Sequence, residues 1–490
     1  MGVSPSTITR VTGVEATYRN FNQGNAAMLN QRVSIIGIGN DNAEYDLAKK
    51  EFFTASKAAE TYGWGSPLHL TAEQFLPSIG AVAEFPVTII PLKKAGAAVA
   101  ATATLNATGT ATANGSGVIY IGGIGAEFPV AKDQTADEVL SEIKNAINSV
   151  LSMPVIAGNV AANCSLPFTA KWSGDIGNLI KVEIIANTPG IVFATQNLTG
   201  GALDPDVSPA LEQIGTAWET FILDTFSYKN TARLDKYQKF VEGRWGALDK
   251  KPCIVAHGCV DNLETRTAIT KLRENDYANF LITSVGSREL EFVVAACGLM
   301  NDIITTANKN PAQNYKGRLL GLHVSADSEQ ETTMERNASI MAGASNNIKS
   351  GNTAELSDIC TFYHPVSEGK YPAKRYVVDI VKLMNIIFNV RLVMEDDRLK
   401  GAPLVPDQDV VTNPSAIQPK AIKTMFMNLA DSLASAAIIS DAKFTKKNLK
   451  VSIDSENPKR VNVQFPVKLS GNIEVSSTDI YFGFYLESGV

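Results

Sequence analysis

The sequence predicts a multi-domain mixture of α/β and α+β structure: an α/β sheet core, an inserted small α+β domain, and a C-terminal α+β domain, with extended arms at both chain ends. Three observations predict it. Short apolar runs alternate with helix-length amphipathic stretches over residues 32–94 and again over 201–345, the rhythm of a mainly parallel sheet flanked by helices. Between these runs, residues 95–200 turn to Ala-, Thr- and Gly-rich strands. Each end of the chain carries alternating apolar residues with no neighbouring strand to pair with. At 490 residues there is room for about three domains.

Residues 1–31 lack helical periodicity and read as an arm and linker. Val14, Ala16 and Tyr18 alternate with Glu15, Thr17 and Arg19, as in an isolated strand. Val33-Ser34-Ile35-Ile36 is the first core strand, ended by Gly37. Thr54 is placed to cap a helix through Tyr62, Gly63-Trp64-Gly65-Ser66 breaks it, a second helix follows, and 87–90 returns as a strand. In the inserted block, 117–121 is a strand, and Thr135-x-x-Glu138 is a capping box opening a helix with Leu140, Ile143, Ile147 and Val150 on one face. A strand is expected at 179–184. Beyond Gly200-Gly201, strands at 221–223, 253–256 and 280–283 alternate with helices at 232–241, 263–272 and 290–304. The C-terminal domain, 346–470, is expected to hold a strand at 359–363, helices at 375–394 and 420–437, and two strands around the turn Asp454-Ser455-Glu456-Asn457-Pro458. Residues 471–490 form the second arm, in which Ile473 and Val475, then Ile480, Phe482 and Phe484, are the apolar positions.

Composition excludes several classes of function. Lys+Arg 44 against Asp+Glu 50 gives a net charge of −6, and no long basic run exists to follow a phosphate backbone, so nucleic acid is not an expected partner. The five cysteines are scattered and odd in number, which suits buried thiols in a reducing compartment better than a disulfide framework. Met1-Gly2-Val3-Ser4-Pro5 has neither the basic nor the apolar region of a secretory signal. The uncharged stretch 95–126 is filled with Thr, Asn and Gly, so membrane insertion is not expected.

Motifs for chemistry are incomplete. Gly37-Ile38-Gly39-Asn40 follows a strand as a dinucleotide loop does, yet position 42 is Asn where the third glycine belongs. Gly122-Gly123-Ile124-Gly125 opens no helix that could hold a phosphate, and Gly369-Lys370-Tyr371 lacks the hydroxyl a magnesium loop needs. Cys253-x3-His257-x-Cys259 offers three soft ligands but no second pair nearby, and reads as a buried strand end. With His69, His257, His323 and His364 the only histidines, and no H-E-x-x-H or G-x-S-x-G, no catalytic residue, cofactor or metal site is assigned. Glu395-Asp396-Asp397 reads as a solvated helix end. An α/β nucleotide-binding enzyme using Gly37-Ile38-Gly39 is the alternative reading.

An unpaired strand needs partners for its N–H and C=O groups, and addition to another subunit's sheet supplies them. Several further segments then become informative together: Val11-Thr12-Gly13-Val14-Glu15-Ala16-Thr17-Tyr18, Gln31-Arg32-Val33-Ser34-Ile35-Ile36-Gly37, Ala58-Ala59-Glu60-Thr61-Tyr62-Gly63-Trp64-Gly65-Ser66-Pro67-Leu68, Tyr120-Ile121-Gly122-Gly123, Thr169-Ala170-Lys171-Trp172-Ser173-Gly174-Asp175, Arg244-Trp245-Gly246 and Met334-Glu335-Arg336-Asn337. In this order, across most of the chain, they resemble the contractile tail sheath proteins, particularly those of Mu-like phages and prophages. Thr12 departs from the family's usual proline, and Pro77 interrupts a helix that relatives run through.

The resemblance implies a structural subunit rather than an enzyme, with no cofactor. Its copies would stack as hexameric rings around a tail tube and contract to drive that tube through the host envelope. Implied partners are further copies of the chain, the tail tube protein, and baseplate and tail terminator proteins, without direct nucleic acid contact or membrane insertion. The implied location is the virion tail, assembled in the host cytoplasm. Residues 346–470 become the assembly domain, Val14, Ala16, Tyr18, Ile473, Val475, Ile480, Phe482 and Phe484 the inter-subunit arm contacts, residues 95–200 an outward-facing domain, and the C-terminal helices the surface toward the tube.

Overall fold

The computed structural model describes residues 26–76, 87–247, 249–369, 372–474 and 476–480. Two compact units are present. The larger comprises Met28–Pro311 and Tyr315–Ile387, and the described part of the smaller comprises 26–27, 312–314 and the residues from Phe388 onward. The units part after Ile387, not at the 345/346 boundary expected from the sequence.

The larger unit opens with β1 (Val33–Ile38), the short β2 (Lys50–Phe52), α1 (Ala55–Tyr62), α2 (Pro67–Phe75) and β3 (Val87–Leu92). Ser66 Oγ accepts the His69 N–H and Pro67 occupies the first turn, which together start α2 sharply after the glycine break. Thr54 stands at the α1 N-cap, but its side chain makes no capping bond. The middle block supplies β4 (Ala100–Gly109), β5 (Gly115–Ile121), β6 (Ile124–Val130), α3 (Ala136–Ser149), β7 (Val155–Ala157), β8 (Ser165–Ser173), β9 (Val182–Asn187) and β10 (Ile191–Ala194). After it come α4 (Ser208–Ile214), β11 (Phe221–Asp224), α5 (Thr231–Trp245), β12 (Ile254–Cys259), α6 (Leu263–Thr270), β13 (Asn279–Thr283) and α7 (Glu291–Gly298). A π-helical stretch, Leu299–Ile304, joins α7 to α8 (Thr305–Lys309). It is followed by β14 (Leu319–His323), α9 (Thr333–Met341), β15 (Asn346–Ser350), β16 (Thr353–Asp358) and α10 (Val377–Met394).

Among the described residues the largest sheet runs β13-β12-β11-β1-β3-β2, parallel except for the edge strand β2. Every position of β1, β3, β11, β12 and β13 is buried, because helices and loops cover both faces of a parallel sheet. The middle block forms two antiparallel sheets, β10-β4-β8-β7 and β6-β5-β9, with α3 opened by the reciprocal Thr135/Glu138 capping box. Two sequence expectations fail locally. The strand expected at 179–184 begins as the 3-10 turn Asp175–Leu179, and β9 starts only at Val182. At 359–363 there is no strand: β16 lies upstream, paired between β14 and β15, while Cys360 and Thr361 make single bridges to Tyr376 and Phe280. These residues are apolar because they cross the outer edge of β13, where the Phe362 N–H donates to the Asn279 carbonyl. That attachment also ties 346–387 to the larger unit.

The smaller unit contains α11 (Pro419–Ser435), α12 (Ala442–Asn448), β17 (Lys450–Ile453) and β18 (Val461–Gln464). α11 buries Ile422, Phe426, Leu429, Ala430 and Leu433. The β17–β18 hairpin turns at Asp454, whose Oδ1 accepts the Glu456 and Asn457 N–H groups and whose Oδ2 accepts Asn462 Nδ2. Within this unit Asn389 and Ala27 exchange two hydrogen bonds of 2.8 Å. Among the described residues no helix is long and apolar enough to cross a membrane.

Candidate functional site

The strand order places the change of winding direction between β1 and β11, the position where open parallel sheets hold ligands beyond their carboxyl ends. Here side chains fill it. A Cβ on Gly37 would lie 2.4 Å from Thr225 Oγ1 and 3.0 Å from Leu68 Cδ2, and one on Gly39 would lie 2.7 Å from the Tyr62 carbonyl oxygen. The Asn40 N–H donates to that same carbonyl, and Asn40 Nδ2 donates to the carbonyl of Trp64. The next helix in sequence, α1, begins only at Ala55, after β2, so it does not start directly from the loop as a dinucleotide-binding helix does. Gly37 and Gly39 therefore serve close packing.

Beside this loop lies a cleft of about 700 Å³ lined by Asn40, Asp41, Glu44, Glu60, Trp64 and Lys171, among others. Its Lys171, Asp41 and Glu60 are already engaged, the last by Lys57. Lys171 Nζ donates to the Trp64 and Leu151 carbonyls, while Asp41 accepts from Ser173 and faces Lys94 at 3.1 Å. These bonds fasten the middle block to the core sheet.

Cys253, His257 and Cys259 are all fully buried. Burial pushes both thiols up to about 12, so neither is poised to ionise as a ligand. His257 Nε2 donates to Asn279 Oδ1 at 3.0 Å, an orientation set by Asn279 Nδ2 donating to Asp276, and its Nδ1 lies 3.3 Å from Asp224 Oδ2. All four side chains of this polar strut, His257, Asn279, Asp276 and Asp224, are buried. Among the described residues no group of three His, Cys, Asp or Glu side chains could hold a metal ion. The acidic run after α10 is exposed at Asp397, and Asp396 pairs with Arg398, which holds its carboxyl down at about 2.

A different kind of site stands in the smaller unit. Among the described residues β17 and β18 form a sheet of two strands, so each has an outer edge with unpaired backbone groups. Such a hairpin is marginal alone and gains from added strands. One face is supported by α11, through contacts such as the edge-on Phe426–Phe465 pair at 5.3 Å. Beyond β18 the chain is stitched by Ser440 N–H to the Lys468 carbonyl, Ser470 N–H to the Ile438 carbonyl, and Asn472 Nδ2 to the Ala312 carbonyl. After that, Ile473 is 90% exposed, Ile480 is 78% exposed, and 476–480 are exposed without regular structure. Val14, Ala16, Tyr18, Val475, Phe482 and Phe484 lie outside the described residues.

The chain is similar to known sheath proteins. It is 24% identical over 411 residues to the Mu-like prophage FluMu tail sheath protein of Haemophilus influenzae, a match spanning 80% of this chain and 81% of that one. Two solved sheath tail proteins are each 12% identical with a TM-score of 0.49. The one from Desulfitobacterium hafniense matches over 94% of this chain and 97% of its own, and that from Listeria innocua over 92% and 94%. No family model matches the chain. The resemblance to the Mu-like tail sheath proteins read from the residues is thus carried by a curated relative across four-fifths of both chains.

Proposed function

We propose that this chain is the structural subunit of a contractile tail sheath, polymerising as stacked hexameric rings around a tail tube and contracting to drive the tube through the host envelope. The observation that carries this reading is the likeness to a tail sheath protein over 80% of the chain. The open hairpin edges and the exposed tail support the way copies join. Strands around Val14, Ala16 and Tyr18 of one copy, and around Ile473, Val475, Ile480, Phe482 and Phe484 of another, add to the β17–β18 sheet of a third. Because donor and acceptor surfaces differ, the contacts are heterologous and extend into a helix instead of closing a dimer.

The role is structural rather than catalytic. With Gly37 and Gly39 packed against side chains, the work of contraction comes from two packings of the same subunits. A gain of about 200 Å² of buried apolar surface per subunit would release about 5 kcal/mol at ~25 cal/mol per Å². The exposed Lys420, Lys423, Lys443 and Lys447 on α11 and α12 suit an acidic tube surface. Tail tube, baseplate and terminator proteins complete the proposed set of partners, in a virion tail built in the host cytoplasm.

Negative-stain electron microscopy of the purified full chain tests the reading, with expected striated hollow tubes or rings, alone or once tail tube and baseplate are added. Deleting residues 472–490 is expected to leave a folded, soluble monomer that makes none. Normal tubes from that truncation would refute the arm mechanism. Failure of the full chain to assemble even on tube and baseplate would overturn the sheath reading itself.

A further inference from the structure

We propose that Asn385 and Asn308 form a backbone clamp that anchors the root of the N-terminal arm, an inference that rests on the strand-exchange reading above. The segment leading into β1 is extended, with exposed Met28 and Asn30 alternating with buried Leu29 and Gln31. Side chains from distant parts of the larger unit take hold of its main chain. The Leu29 N–H donates to Asn385 Oδ1 at 2.9 Å, and the Gln31 N–H donates to Asn308 Oδ1 at 2.6 Å. Gln31, 1% exposed, folds its own amide back to the Leu29 carbonyl at 2.8 Å. The Arg32 N–H then donates to Thr220 Oγ1, which returns its hydroxyl to the Arg32 carbonyl.

Asn385 is the informative residue. It is fully buried in the middle of α10, among Val381, Met384 and Ile386, where an apolar side chain would pack without needing polar partners and would favour the helix more. Its Nδ2 donates to the Val381 carbonyl one turn back, which turns Oδ1 toward the passing strand. An amide held in this way reads the backbone and not the side chains.

The location gives the clamp its use. Two residues beyond Gln31 the chain enters β1, hydrogen-bonded to β11 on one side and β3 on the other. If a neighbouring copy holds the arm, tension along it reaches the Ala27–Asn389 bonds and then the clamp before it reaches β1. The clamp fixes the point from which the arm departs and keeps the pull from peeling a central strand.

The test uses the full chain and residue-resolved hydrogen exchange together with microscopy. The Leu29 and Gln31 amides are expected to exchange about tenfold more slowly than those of Met28 and Asn30. Asn385→Ala should accelerate Leu29, and Asn308→Ala should accelerate Gln31, each by about tenfold, with the core-strand amides unchanged. The double variant should give few or broken tubes where the parent gives long ones. Equal exchange at all four amides in the parent, or long intact tubes from the double variant, would overturn the clamp. Should Asn385→Ala fail to fold, the half-buried Asn308→Ala and the parent's exchange pattern decide the matter. If the parent forms no tubes, the sheath reading fails, while the exchange pattern still judges the clamp.

Discussion

Glu291, in the first turn of α7, is 2% exposed, with Lys229 Nζ 3.9 Å away. Burial raises its carboxyl to about 7, outweighing the pull of Lys229 in the other direction. In the unfolded chain the same group titrates near its ordinary 4.5. Between those values the folded chain keeps a proton that the unfolded chain has released. The stability this group contributes is therefore full below the lower value and is lost as pH rises through the upper one. Asp302, also pushed up to about 7 by burial, adds a slope of the same sign. Glu291→Gln stays neutral throughout, so it should shrink the decline without abolishing it. The variant should exceed the parent by about 2 kcal/mol above neutral pH and match it in acid, as urea midpoints at about pH 5 and about pH 8 would reveal. An undiminished slope in the variant would assign the decline to other groups.

Packing between elements is tightest where β12 meets α7. A Cβ on Gly258 would fall 1.5 Å from the Glu291 carbonyl oxygen and 2.3 Å from its carbon, so the helix rests directly on the strand's main chain. Gly258→Ala must push α7 outward, at an expected cost of about 3 kcal/mol or more, seen as a lowered melting midpoint or insoluble product. Gly243, in α5 with open space around it, is the control: Ala there should be neutral or stabilise by up to about 1 kcal/mol. If both substitutions behave alike, the close approach is not what holds the layers.

Which elements could be read from residues alone follows from the same physics. The parallel strands were legible because burial on both faces demands unbroken apolar runs such as Val33-Ser34-Ile35-Ile36. β2 was not, since an edge strand of Lys-Glu-Phe carries no such run. Residues 359–363 are apolar for a different reason, the crossing of the β13 edge, and composition does not separate that from a strand. The π-helical stretch after α7 carries Leu299, Met300, Ile303 and Ile304 at helix-like spacing and so reads as continuous helix. The proposed arms rest on the period-two alternation of Ile480, Phe482 and Phe484, whereas an open sheet edge is defined by topology and leaves no local signature at Lys450 or Val461.

At the scale of the whole molecule, the path into and out of the middle block is informative. Val99 and Ala202 exchange two backbone hydrogen bonds of 3.1 Å, and Thr102 and Thr199 exchange two of 2.9 Å, so the block's ends leave and re-enter side by side. Between them the chain buries Leu105, Ile119, Phe128, Ile143, Phe168 and Trp172, each 1% exposed or less, in a cluster that continues into Ile36, Ile90 and Leu290 beside it. An insertion whose ends meet can be excised at small loop-closure cost, and this one carries most of the apolar residues it packs on. Residues 97–203 expressed alone are therefore expected to fold and melt cooperatively. The converse deletion, replacing 100–201 with a short Gly/Ser turn, removes the partners of Asp41 and Ser287 and uncovers Leu290, so it should lower stability. If the block faces outward, as the resemblance implies, the shortened chain still polymerises, and its tubes are narrower in outer diameter by electron microscopy. A deletion variant that folds, by circular dichroism, yet assembles nothing would instead place the block within the contacts between subunits.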